Sequence, residues 1–135
     1  MEQIQWDESF SVGVAQMDRE HKRIIEMINL LLRDPEADTS SETVSEILTR
    51  ITKYAGEHFA TEEEILERHG YPELSSHKEK HRAFRKKAVA FCLDTMDGQI
   101  SVPADALYYL KEWWTQHILT VDMRLSSFYK ERGIT

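Results

Sequence analysis

The sequence predicts an all-α protein, an up-down-up-down antiparallel four-helix bundle with an N-terminal arm. Three observations carry that expectation. The five Gly and three Pro of the 135 residues fall at a few places and leave long unbroken stretches. Four of those stretches repeat apolar residues at steps of three and four, the period of a helix that buries one face. The connections between them are short, which makes successive helices antiparallel neighbours. The length suits one domain, residues 1–135, around one core.

Residues 1–17 form the arm: Ile4, Trp6, Phe10, Val12 and Val14 are apolar but show no helical stripe. The first helix, about 18–33, carries His21, Ile24, Ile25, Ile28, Leu31 and Leu32 on one face. Asp18 is its expected N-cap and Asp34-Pro35 its stop. The second, about 41–68, lines up Val44, Ile51, Ala55, His58, Glu62 and Leu66 and ends before Gly70 and Pro72. The third, about 76–95, places His77, His81, Phe84, Ala88 and Phe91 together and closes at Asp97-Gly98. The fourth, about 103–130, starts at Pro103 and presents Leu107, Leu110, Trp114, His117, Val121, Leu125 and Phe128.

Composition narrows the function. Seventeen basic against 24 acidic residues give −7, which argues against a nucleic-acid surface. No apolar run approaches the roughly 18 residues of a membrane span, and the first residues lack the pattern of a signal peptide, so a cytoplasmic monomer with no membrane partner is expected. A single cysteine, Cys92, excludes a disulfide framework or a cysteine-rich metal site; it reads as a small buried hydrophobe. The run Lys78, Lys80, Arg82, Arg85, Lys86 and Lys87 reads as a solvated helix face.

The six histidines are more informative. Five of them, His21, His58, His77, His81 and His117, lie on the stripes that must face the core, together with Glu62. His58 with Glu62, and His77 with His81, are i,i+4 pairs whose side chains share a helix face. Asp122, five residues after His117, falls roughly 140° around an ideal α-helix and so only at the edge of its stripe. A lone histidine on an apolar face is ordinarily a hydrogen-bonded core residue, and a lone Glu62 would be solvated. Jointly they would burden a small core with unmet polar groups, a cost that bound cations remove. Five imidazoles and two bridging carboxylates offer nine donor atoms, too many for one ion. Two six-coordinate ions sharing one solvent-derived bridge would keep a single open position, where a small ligand could bind. Nitrogen and oxygen donors without thiolate suit iron or manganese.

The strings His58-Phe59-Ala60-Thr61-Glu62-Glu63, Gly70-Tyr71-Pro72, His77-x-x-x-His81 and Trp113-Trp114-x-x-His117-Ile118-x-x-x-Asp122, with Asp18-x-x-His21-Lys22 upstream, resemble the hemerythrin family in its single-domain bacterial form. The likeness runs from the arm to the last helix. It implies a non-haem di-iron protein that binds dioxygen reversibly, as a hydroperoxide at one open iron position, for oxygen transport, storage or delivery. By the same resemblance His77, His81 and His117 hold one iron, and His21 and His58 the other. Glu62, Asp122 and an oxo or hydroxo group bridge them. Ile24, Phe59, Trp113, Trp114 and Ile118 match positions lining or adjoining the oxygen pocket. Their task would be to keep it dry. Glu20, Glu63 or backbone carbonyls are candidate acceptors for the imidazole N–H groups, and His69 is expected to meet the C-terminus of the second helix.

No further acid or base is apparent on the inner stripes, so the expectation is a binding protein and not an enzyme. The alternatives are a di-iron peroxidase or nitric-oxide scavenger, or an oxygen sensor working through a separate partner. An oxygen-using enzyme or a reductase would be the protein partner.

Overall fold

Four long helices follow an extended arm. The structure, a computed structural model, describes residues 2–32, 41–96 and 104–135, with side chains described outside 41–45, 92–96 and 104–107. Helix α1 spans Ala15–Leu32, α2 Ser41–Arg68 and α3 Leu74–Met96. The last helix is α-helical over Ala104–Gln116 (α4), π-helical over His117–Asp122, and α-helical again over Met123–Glu131 (α5). Together they form the expected bundle of four helices, with no strand among the described residues. The Asp34-Pro35 stop, the Asp97-Gly98 close, Pro103 and the side chains of Val44, Cys92 and Leu107 lie outside the described residues.

The core follows the apolar stripes. Ile24, Ile28, Leu48, Ile51, Phe59, Phe84, Leu110 and Trp114 are buried in one cluster that occupies most of the bundle. A second cluster at the opposite end joins Val12, Val14, Met17 and Leu66 to Leu125, Phe128 and Tyr129. Removing such side chains from water supplies most of the driving force for packing the helices. The second helix ends as its sequence requires. Gly70 takes φ +70°, and the Tyr71 N–H reaches back to the Leu66 carbonyl at 2.9 Å, a closure that favours glycine because a Cβ is strained there. His69 Nδ1–H donates to the Ile65 carbonyl at 2.9 Å, which adds a partner at the same terminus.

The arm is tied down by side chains of α1. Asn29 accepts from the Ile4 N–H at 2.7 Å and donates to the Ile4 carbonyl at 2.9 Å, pairing with that backbone as a strand neighbour would. Lys22 Nζ lies 4.8 Å over the Trp6 ring. Asp18 corrects the expected N-cap: α1 begins three residues earlier, at Ala15. The Asp18 carboxylate instead turns back to accept from the Val12 N–H at 2.9 Å and the Ser11 hydroxyl at 2.6 Å. An acidic side chain in the first turn can satisfy donors of the entering chain as well as one ahead of it. The short 3₁₀ turn Glu8–Phe10 packs against the π-helical segment, so the arm braces that widened turn.

That segment changes which residues face inward. A π turn closes by i→i+5 hydrogen bonds, and the Met123 N–H bonds the Ile118 carbonyl five residues back. The extra residue turns Asp122 into the core with no exposed surface and leaves Val121, which α-helical spacing places on the stripe, only half-buried. Thr115 and Thr120 donate their hydroxyls to the Lys111 and Gln116 carbonyls, four residues back, on either side of His117. Such back-bonding competes with the regular ladder and bends helices.

An alanine inserted after Thr120 should turn Asp122 about 100° away from His117 and abolish metal binding, whereas deletion of exposed Thr120 restores α spacing and should preserve it. Metal content of the two purified variants checks this; an insertion variant that loads like the parent would contradict it.

Candidate metal centre

Each helix delivers its polar side chains to one level of the bundle. His21 comes from α1, His58 and Glu62 from α2, His77 and His81 from α3, and His117 and Asp122 from the π segment. All seven are buried, none more than 4% exposed, and the structure brings all of them together. The imidazoles converge through their Nε2 atoms.

The contacts sort into two groups. His77 Nε2 hydrogen-bonds Glu62 Oε1, His81 Nε2 lies 3.4 Å from the same oxygen, and His81 and His117 Nε2 are 3.3 Å apart. Asp122 Oδ1 completes this side, 3.1 Å from His117 Nε2 and 3.7 Å from His77 Nε2. On the other side His21 and His58 Nε2 are 3.1 Å apart. Glu62 Oε2 is 3.5 Å from His58 Nε2 and 4.0 Å from His21 Nε2, and Asp122 Oδ2 is 3.2 Å from His21 Nε2. Each carboxylate therefore offers one oxygen to the three-histidine group and the other to the two-histidine group. Within these limits, Glu62 with His77, His81 and His117, and Glu62 with His21 and His58, could each hold a metal ion.

Two imidazoles are fixed from behind. Glu20 Oε1 lies 2.6 Å from His58 Nδ1 and Glu63 Oε2 lies 2.8 Å from His81 Nδ1, one carboxylate for each group. With the Nδ1 proton so held, Nε2 keeps its lone pair toward the centre. Aromatic rings pack around the imidazoles. Phe59 stacks on His81 at 3.8 Å and 10° and on Trp114 at 5.5 Å, and Trp113 stacks on His117 at 4.3 Å and 11°. Ile24, Trp114 and Ile118 are fully buried, Phe59 is 1% exposed, and Trp113 is half-buried.

The electrostatics are those of an ion cluster. Burial pushes the Glu62 carboxyl up, but the His77 and His81 hydrogen bonds and the His58 charge outweigh it and hold it well below the ordinary range. Burial and the charge of Glu62 raise Asp122, while His117 and His21 bring it down on balance. For His21 and His77 burial favours the neutral ring, yet the facing Asp122 and Glu62 hold both above the ordinary imidazole value. His117 goes the other way, its burial prevailing.

Residues 12–128 match the family model described as the hemerythrin HHE cation binding domain. The chain belongs to the hemerythrin family. It is 33% identical to a bacteriohemerythrin of Stenotrophomonas maltophilia over 84% of this chain and 72% of that one. It is 32% identical to a myohemerythrin of Theromyzon tessulatum, with 91% of each chain covered. A crystal structure of wild-type hemerythrin superimposes with a TM-score of 0.83 at 25% identity, covering 92% of this chain and 95% of that one.

Hemerythrin membership and the buried cluster together support non-haem iron binding, and the residues present fit it. Both Asp122 oxygens are buried with no hydrogen-bond partner, although imidazole nitrogens stand 3.1 and 3.2 Å away. Orphaned acceptors beside inward-facing nitrogens are what a cation between them would satisfy. The nitrogen–nitrogen separations of 3.1 and 3.3 Å match the roughly 3 Å between two donors at right angles on an ion about 2.1 Å from each. Neutral imidazole and carboxylate, without thiolate, are suitable donors for iron.

Three outcomes follow. Glu62→Ala and His77→Ala should each abolish stoichiometric iron binding and lower the melting temperature, since the remaining polar groups lose their cation; iron content equal to the parent in either would refute the role. Glu20→Ala should weaken metal affinity roughly 10- to 100-fold through His58, with partial recovery in Glu20→Gln, as read by competition with a chromophoric chelator. Metal loading near pH 7 should release protons, because His21 and His77, held above the ordinary value, must give theirs up. Affinity should therefore rise with pH, seen as buffer-dependent calorimetric heats; heats independent of buffer would contradict this.

Proposed function

We propose that this chain is a single-domain di-iron hemerythrin, residues 1–135, that binds dioxygen reversibly for transport, storage or delivery in the cytoplasm, as a monomer. His77, His81 and His117 would hold one iron and His21 and His58 the other, with Glu62 and Asp122 each offering an oxygen to both groups. The observation that supports this reading is the division of the four carboxylate oxygens, one from each residue to each histidine group. Counted as donors, the three-histidine side has five protein atoms and the two-histidine side four. The open position therefore falls beside His21 and His58. An iron pair held there would supply reversible two-electron chemistry to a small gas ligand.

The protein's part is to bind, orient and exclude. Glu20 and Glu63 hold the tautomers of His58 and His81. Phe59 and Trp114 face imidazoles of both groups: Phe59 packs on His58, His81 and His117, and Trp114 on His58 and His117. With Ile24 and Ile118 they fill the space with apolar surface, which keeps water and protons from a ligand that must leave as it arrived. Tyr129 is the one buried phenol of the second cluster. Burial and the charges of Glu62 and Asp122 raise its hydroxyl well above the ordinary value, so it stays neutral and donates no proton readily.

The reduced protein exposed to air is expected to gain a ligand-to-iron charge-transfer band in the visible range and to lose it on deoxygenation over repeated cycles. Irreversible oxidation in the first exposure, with no oxygenated spectrum, would contradict reversible binding and favour the redox-enzyme alternative.

A further inference from the structure

Among the buried residues of the core cluster that holds Ile24, Phe59 and Ile118, Trp114 is the one whose side chain can donate a hydrogen bond. It has no exposed surface, and its Nε1–H is buried with no hydrogen-bond partner. A donor enclosed and left unpaired carries the full cost of its desolvation, so its presence calls for a physical reason.

The place of the ring supplies one. Trp114 precedes His117 by three residues, so the two rings share a face of the last helix one turn apart. The indole lies 6.3 Å from His117 and also 6.3 Å from His58, centre to centre, and so borders one imidazole of each histidine group. Phe59 stacks on it at 5.5 Å and 14°, while Phe84 and Trp113 meet it steeply at 5.3 and 5.0 Å. These three rings fix the indole and offer its N–H no oxygen or nitrogen acceptor. The nitrogens of His58 are taken up elsewhere, Nδ1 with Glu20 and Nε2 with His21.

We propose that the Trp114 indole N–H is the hydrogen-bond donor for the small ligand taken up beside His21 and His58, and that it favours ligands whose outer atom presents a lone pair. The inference rests on the di-iron reading above. A ligand held at one end by metal leaves its other end among hydrocarbon side chains, and Trp114 is the one buried residue of that cluster able to meet it. Negative charge drawn onto the outer atom strengthens an N–H bond, and more so in surroundings of low polarity. Binding thereby gives the orphaned donor its acceptor.

Azide tests this, because it binds ferric iron through one end and leaves lone pairs at the other. In the iron-loaded, oxidised protein the infrared stretch of bound azide should shift in deuterium oxide, as the indole N–H becomes N–D, and the shift should vanish in Trp114→Phe. Trp114→Phe should load as much iron as the parent and bind azide roughly tenfold more weakly. Benzothienylalanine at position 114, the same bicycle with sulfur in place of the N–H, keeps the shape of the ring and should weaken azide by the same factor. It also decides the matter where Trp114→Phe folds or loads poorly. Azide bound as tightly by the benzothienylalanine protein as by the parent, or a stretch in the parent that ignores deuterium, overturns the proposal. So does a parent that loads two irons and binds no azide, since the indole then closes the position instead of serving it. A parent that loads fewer than two irons removes the di-iron reading and the donor role with it, and the iron count tells that failure from the others.

Discussion

A carboxylate without exposed surface has to be matched by positive charge or by donors, and in this bundle two such carboxylates, Glu62 and Asp122, stand back to back between five imidazoles. The rest of the structure answers to that requirement. Each helix must bring its polar residue to the same level, so among the described residues the apolar stripes are interrupted by buried charged or imidazole groups at that level alone. The rings of Phe59, Trp113 and Trp114 close the level against water on one side. Val12, Val14, Leu66 and Leu125 belong to the cluster on the other. Polar groups so enclosed are strongly bound to one another or very costly, with little between.

The support behind the imidazoles is uneven. His58 and His81 have carboxylates at Nδ1, whereas His21 Nδ1 is buried with no partner. His21 is also the single histidine contributed by α1, and both of its contacts to the carboxylates run through Nε2. Of the two histidines in that group, His58 is therefore held by a carboxylate from behind, whereas His21 is met by polar groups only at Nε2.

Much of this was legible in the sequence because core-facing residues of a regular helix repeat with a known period. His21, His58, Glu62, His77, His81 and His117 all stand where α-helical spacing turns a side chain inward. Asp122 was not legible from spacing and enters through the family resemblance. The residues from His117 to Asp122 are wound wider than α, and period counting assumes a constant pitch. Thr115, Thr120 and Val121 are the local sign of this, since hydroxyls that bond carbonyls four back and a β-branched neighbour both disfavour a regular ladder. The start of α1 was misplaced for a related reason. Asp18 has the chemistry of a cap, but a carboxylate caps equally well from inside the first turn, and only the position of buried Val14 and Met17 decides between the two.

One cysteine leaves the chain without any internal covalent tie. The cluster supplies a tie of another kind. His21 and Asp122 are 3.2 Å apart across about a hundred residues of sequence, and His58 and Glu62 stand between them. A cation gripped at that point would close about a hundred of the 135 residues into a loop, and cross-links over such spans act mainly by removing freedom from the unfolded chain. The loop is opened by a chelator and not by a thiol, so the durability of the folded chain is coupled to the supply of metal and is indifferent to the thiol balance that governs disulfides.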